Sequence, residues 1–121
     1  MNVTFVDGND MTNAGHDKFD TDGMATQAGK ASALLSAMCN EKRLMILCQL
    51  VDGEHSVNEL TVLLGSPQST VSQHLALLRR EGLVQARRHN QTQFYSLAGV
   101  EARAILKTLQ SLYCEPISKD A

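Results

Sequence analysis

The chain has 121 residues, 43% of them hydrophobic, with a formal net charge of −2, which bounds it to one domain with a small core of the kind often completed by dimerisation. No apolar run approaches the roughly 18 residues a membrane helix needs, and no basic-then-apolar leader opens the chain, so no membrane partner is predicted and the chain reads as cytoplasmic. Three cysteines, Cys39, Cys48 and Cys114, are odd in number and far apart, which excludes a secreted disulfide framework and leaves reactive or ligand-binding roles.

Residues 1–24 carry Asp7, Asp10, Asp17, Asp20 and Asp22 against Lys18 without an apolar period, and read as a disordered acidic tail ahead of a folded domain over residues 25–117. The run Asp20-Thr21-Asp22-Gly23 fails as a calcium loop, because Lys18 and Gly29 fall where carboxylates are needed. A helical period starts at Thr26, with Ala28, Ala31, Leu34 or Leu35, and Met38 on one face. Asn40 caps a second helix with Glu41 in its first turn. Leu44, Ile46, Leu47, Cys48, Leu50 and Val51 make that helix apolar around most of its circumference, and therefore central. Ser56-Val57-Asn58-Glu59 is a capping box. The short helix behind it turns Val57, Leu60, Leu63 and Leu64 inward and ends at Gly65. Ser66 is predicted to cap a fourth helix with Pro67 in its first turn. Val71, Leu75 and Leu78 are its inner face.

After Gly82, Leu83–Arg87 alternates as a strand, Thr92–Leu97 is its partner, and His89-Asn90-Gln91 is the turn, with Asn90 suited to a positive φ. A last helix spans about Val100 to Tyr113, apolar at Ala102, Ile105, Leu106, Leu109, Leu112 and Tyr113. The predicted fold is mainly α with a small β-hairpin wing: four helices, two strands, one helix, in a winged helix-turn-helix. The stretch Ser66–Leu97 holds Arg79, Arg80, Arg87 and Arg88 against Glu81, so positive charge concentrates where double-stranded DNA would lie. The outer face of the fourth helix offers short hydroxyls and amides suited to base edges and phosphates. The predicted DNA contacts are Gln68, Ser69, Thr70, Ser72, Gln73, His74 and Arg80 of the helix, with Arg87, Arg88, His89, Asn90 and Gln91 of the wing. The apolar stripes of the first and last helices exceed what one small core covers, which predicts a homodimer through those helices. Its two recognition helices would stand about 34–36 Å apart, on an inverted-repeat operator.

The order of these parts, with QSTVSQHLALLRREGLV at its centre, resembles the ArsR/SmtB family of bacterial winged-helix repressors over about residues 28–115. MILCQLVDGEHSVNEL and TLQSLYC are similar to its persulfide- and sulfide-responsive branch (BigR- and SqrR-like, related to HlyU). On its residues alone, Cys48 reads as a small buried hydrophobe, and Cys114 sits at a helix end where packing rarely demands a cysteine. The resemblance implies instead that Cys48 and Cys114 are sensing thiols and that Cys39 is a bystander. It implies further that a persulfide or polysulfide effector bridges the pair, releasing operator DNA and derepressing sulfide-detoxification genes.

A direct disulfide needs Cα atoms about 4.4–6.8 Å apart, and each extra sulfur adds about 2 Å of reach. The attacking cysteine should have a lowered pKa, with Lys42, Arg43 or Arg103 as sources of positive charge. No metal and no cofactor are predicted: His16, His55, His74 and His89 fall in different elements, and two cysteines alone make a poor zinc site. A metal-responsive or general thiol-redox repressor of the same family is the alternative. An enzyme lacks a Cys-x-x-Cys, a catalytic loop and a cleft-forming layer. A winged helix used only to bind proteins would show salt-insensitive binding and no affinity for duplex DNA.

Overall fold

The computed structural model describes residues 18–115, and packing divides the chain between Ala31 and Ser32. The elements are α1 (Thr21–Met38), α2 (Glu41–Leu50), β1 (His55–Ser56), α3 (Val57–Leu64), α4 (Gln68–Arg80), β2 (Val84–His89), β3 (Thr92–Leu97) and α5 (Glu101–Tyr113). The helices, their order and the β2–β3 hairpin are those the sequence predicts. Helix α1 begins at Thr21, five residues ahead of the apolar period, because the Asp20 carboxylate accepts from the Gly23 N–H at 2.9 Å and caps the helix before any apolar residue is called on. The acidic-tail reading lies, over residues 1–17, outside the described residues.

Local signals set the other helix ends. The Asn40 side chain accepts from the Arg43 N–H at 3.0 Å, and Arg43 Nε donates to the Ala37 carbonyl at 2.6 Å, where the last turn of α1 has unpaired acceptors. The capping box is complete: Ser56 Oγ accepts from the Glu59 N–H at 3.1 Å, and Glu59 Oε1 accepts from the Ser56 N–H at 2.9 Å. Gly65 closes α3 with a left-handed φ of 63°. The start of α4 differs from the prediction. Pro67 stands at the cap with extended backbone and no side-chain bond, its carbonyl accepting from the Val71 N–H. Ser66 Oγ faces the Lys42 ammonium instead, at 3.3 Å.

Strand β1 is an addition to the predicted elements. It pairs antiparallel with β3, His55 opposite Tyr95 and Ser56 opposite Phe94, so the sheet has three strands in the order β1-β3-β2. Ser56 therefore both ends a strand and caps a helix, which ties α3 to the middle of the wing.

The core is built from Ile46, Leu47 and Leu50 of α2, Leu60 of α3, Val71, Leu75 and Leu78 of α4, and Leu83, Val84, Leu97, Ala102 and Leu106 behind them. Full burial of each large aliphatic side chain contributes about 1.5–3 kcal/mol, and this cluster fixes the angle between α3 and α4. Leu63, predicted inward, is half exposed. With only two turns, α3 presents one buried position, Leu60, and leaves Leu63 beside Met45 on the surface groove between α2 and α3.

Candidate DNA interface and thiol pair

Helix α4 buries Val71, Leu75 and Leu78, so its opposite face is fixed outward: Gln68, Ser69, Ser72 and Gln73 are exposed, while Thr70 and His74 lie half-buried on its flanks. Burial, then the charges of Arg43 and Lys42, hold His74 below the ordinary histidine value. Arg80 is exposed beside Glu81, Nε to Oε2 being 3.8 Å.

Strands β2 and β3 carry the wing. His89 pairs with Thr92 as the last rung, so the turn is Asn90-Gln91. Asn90 takes the positive φ its position invites, 58°. Arg88, His89, Asn90 and Gln91 are all exposed at the tip. Arg87 is placed differently: its guanidinium is held by Glu54, from the loop ahead of β1, and lies 5.2 Å from the centroid of Phe94. Glu54 raises the Arg87 pKa, and Arg87 lowers that of Glu54. Arg88, one residue on, points to the other face of the ribbon and makes no ion pair among the described residues.

Sequence reasoning missed Glu54, for which a partner 33 residues away leaves no local signal. It also offered Lys42, with Arg43 and Arg103, as a source of charge for the thiols, whereas the Lys42 ammonium stands at the entrance to α4.

All three cysteines are free and exposed. Cys48 is thus not the buried hydrophobe its apolar neighbours suggest. It sits on the side of α2 that faces α5, sharing a pocket with Val51, Asp52, Arg103, Leu106, Lys107 and Gln110. Cys114 ends α5, its N–H donating to the Gln110 carbonyl at 2.8 Å. Partial burial of the sulfur against this pocket, and after it the charge of Cys114, push the Cys48 thiol above the ordinary cysteine value. This reverses the lowered pKa predicted for an attacking thiol, at least for Cys48. Lys42 and Arg43 are engaged elsewhere, which leaves Arg103 of the predicted cations; its Nη1 donates to the Val51 carbonyl at 2.7 Å. Among the described residues no group of three His, Cys, Asp or Glu side chains could hold a metal ion, and no helix is long and apolar enough to cross a membrane.

Residues 40–86 match the family model described as bacterial regulatory protein, arsR family. The transcriptional activator HlyU of Vibrio cholerae is 51% identical over 92 residues, covering 76% of this chain and 85% of that one. The structure of reduced HlyU from Vibrio cholerae superposes with a TM-score of 0.73 at 50% identity, covering 78% of this chain and 99% of the other. The transcriptional repressor BigR from Xylella fastidiosa gives a TM-score of 0.76 at 35% identity, covering 81% and 100%. A domain from Mycobacterium bovis, described as a homodimeric winged helix-turn-helix DNA-binding domain, gives 0.66 at 30% identity, covering 82% and 88%.

Proposed function

Because the chain belongs to the ArsR family of bacterial regulatory proteins, and so is a winged helix-turn-helix transcription regulator, we propose that it is a homodimeric repressor governed by sulfur. In this reading α4 and the wing hold an inverted-repeat operator, and a sulfur bridge between Cys48 and Cys114 releases it.

The observation that carries this reading is that two exposed thiols from distant parts of the chain stand on adjoining elements, Cys48 on the side of α2 that faces α5 and Cys114 at the end of α5. Two thiols and two persulfide donors give one trisulfide, one hydrogen sulfide and two parent thiols. Each cysteine takes one sulfane sulfur, and the persulfide anion on one displaces hydrosulfide from the other. No separate oxidant is needed. Such a bridge ties α2 to α5, and α2 packs on α4. A coupling of about 1–3 kcal/mol between bridge and DNA lowers affinity about 5–150-fold.

Dimerisation is supported by apolar side chains left on the surface of the terminal helices: Leu35 of α1 and Leu112 and Tyr113 of α5 are more than half exposed. The homodimeric Mycobacterium bovis neighbour supports it independently.

The test is intact-mass spectrometry of the reduced protein after glutathione persulfide, and separately after peroxide, with duplex affinity followed in parallel. Whole sulfur atoms linking Cys48 to Cys114, together with loss of DNA, are expected. A Cys48→Ser protein that still releases DNA on persulfide treatment would sink the proposal, and release by zinc or copper with no sulfur gained would return the chain to metal sensing.

A further inference from the structure

Cys48 opens onto a pocket of about 320 Å³ between the end of α2 and α5, within the roughly 300–1,000 Å³ range of small-ligand sites. Leu106, which is buried, makes an apolar wall. Arg103, Lys107 and Gln110 follow one another at helical spacings of four and three, so they share a single stripe of α5, and Cys114 follows four residues later. The polar groups around the thiol are therefore two cations, one carboxylate (Asp52) and one amide.

Arg103 spends Nη1 on the Val51 carbonyl. Neither the rest of its guanidinium nor the Lys107 ammonium meets a carboxylate within ion-pair distance among the described residues. Two cations against one carboxylate leave the pocket net positive beside a nucleophile, and with its apolar wall it suits a small molecule that brings both an anionic group and a reactive sulfur. A water-filled surface gap would need no such pair of cations beside the Cys48 thiol.

We infer that this pocket selects the sulfur donor: a low-molecular-weight persulfide bearing a carboxylate, which Arg103 and Lys107 hold while its sulfane sulfur is presented to Cys48 Sγ. The inference rests on the thiol-sensing reading above and names the effector's chemical class. The Cys48 thiolate attacks the sulfane sulfur. The donor's S–S bond breaks as the new one forms, and the parent thiolate leaves. Cys48 is oxidised to the persulfide while the donor is reduced to its thiol, so the step balances without another reagent.

The experiment compares the persulfide of N-acetylcysteine with that of its methyl ester, which lacks the carboxylate, on the reduced full chain, following sulfur gain at Cys48 by mass. The carboxylate donor is expected to react about tenfold faster, the lower end of electrostatic focusing. The ratio should shrink as salt rises from about 0.05 M to about 0.5 M, and Lys107→Glu should bring it to about one or below. Equal rates for the two donors in the unaltered protein would overturn this inference and leave the thiol-sensing proposal standing. No sulfur gain at Cys48 from either donor would overturn both. The salt series on the unaltered protein decides the matter should the variant fold poorly.

Discussion

Glu54 holds Arg87 by a side-on grip, with both carboxylate oxygens 2.9 Å from Nε. The pair joins the loop ahead of β1 to the middle of the wing, and it withdraws one of the four arginines that make the Ser66–Leu97 segment basic. A bidentate arginine–carboxylate contact also fixes the guanidinium plane, here close to the Phe94 ring. Arg87 thus braces the wing, and Arg88 is the strand's arginine left exposed and without an ion pair among the described residues.

Replacing Glu54 by Gln should therefore strengthen duplex binding. The substitution removes a negative charge beside the wing and, on the proposed DNA-binding reading, frees Arg87 for a phosphate. Each added phosphate contact steepens the dependence of log affinity on log salt by about 0.9. Titrations over a salt series should show that increment for Glu54→Gln. An unchanged slope would mean that Arg87 stays out of reach even when released, and that its place is purely structural.

The capping box makes a second prediction. Ser56 is buried, satisfies the Glu59 N–H and sits opposite Phe94 in the sheet. Ser56→Ala removes the acceptor while keeping the strand, and should cost about 1 kcal/mol of stability. Ser56→Thr, which keeps the hydroxyl, should cost less. Denaturant unfolding of the three proteins checks this; equal midpoints for Ala and Thr would show that the cap bond is dispensable.

These caps were legible because their partners lie within three residues, and the inner face of α4 was legible because Val71, Leu75 and Leu78 repeat with the helix. What escaped detection depends on residues far apart. Strand β1 is two residues long and exists because β3 lies beside it, so neither propensity nor alternation could announce it. Glu54 gives no local sign of its hold on Arg87. Spacing counted Leu63 inward, but spacing cannot tell how many faces of a two-turn helix are covered. The apolar residues around Cys48 suggested burial, yet they cover the other side of α2 and leave the thiol facing the α5 pocket. In each case the missing information was which surface another element happens to occupy.

His74 makes stability depend on pH. Its pKa is held below 6.5 in the folded chain, first by burial and then by Arg43 and Lys42, while the unfolded chain keeps the ordinary value. Over that window the unfolded state binds more protons, so stability is full above pH 6.5 and is lost as pH falls toward the folded value. His74→Gln should flatten the stability profile between about pH 7 and about pH 5. Parallel denaturant titrations at these pH values decide it: an equal slope in both proteins would assign the acid sensitivity to other groups.

The two thiols should show their coupling without any sulfur donor. Cys114 raises the Cys48 pKa through its charge, in addition to the larger effect of burial. Removing that charge in Cys114→Ser should lower the Cys48 pKa, though not to the ordinary value, because burial remains. At a pH below that of half-ionisation, reaction with iodoacetamide follows the thiolate fraction. Cys48 should therefore alkylate faster in Cys114→Ser than in the unaltered protein, and its rate-against-pH curve should move to lower pH. Cys39, exposed and on a different element boundary, serves as the internal reference, its rate unchanged in both. Peptide mapping after timed alkylation separates the three sites. If the Cys48 curve stays where it was, the thiols are too far apart to sense each other's charge, and a bridge between them would require α5 to move toward α2 first.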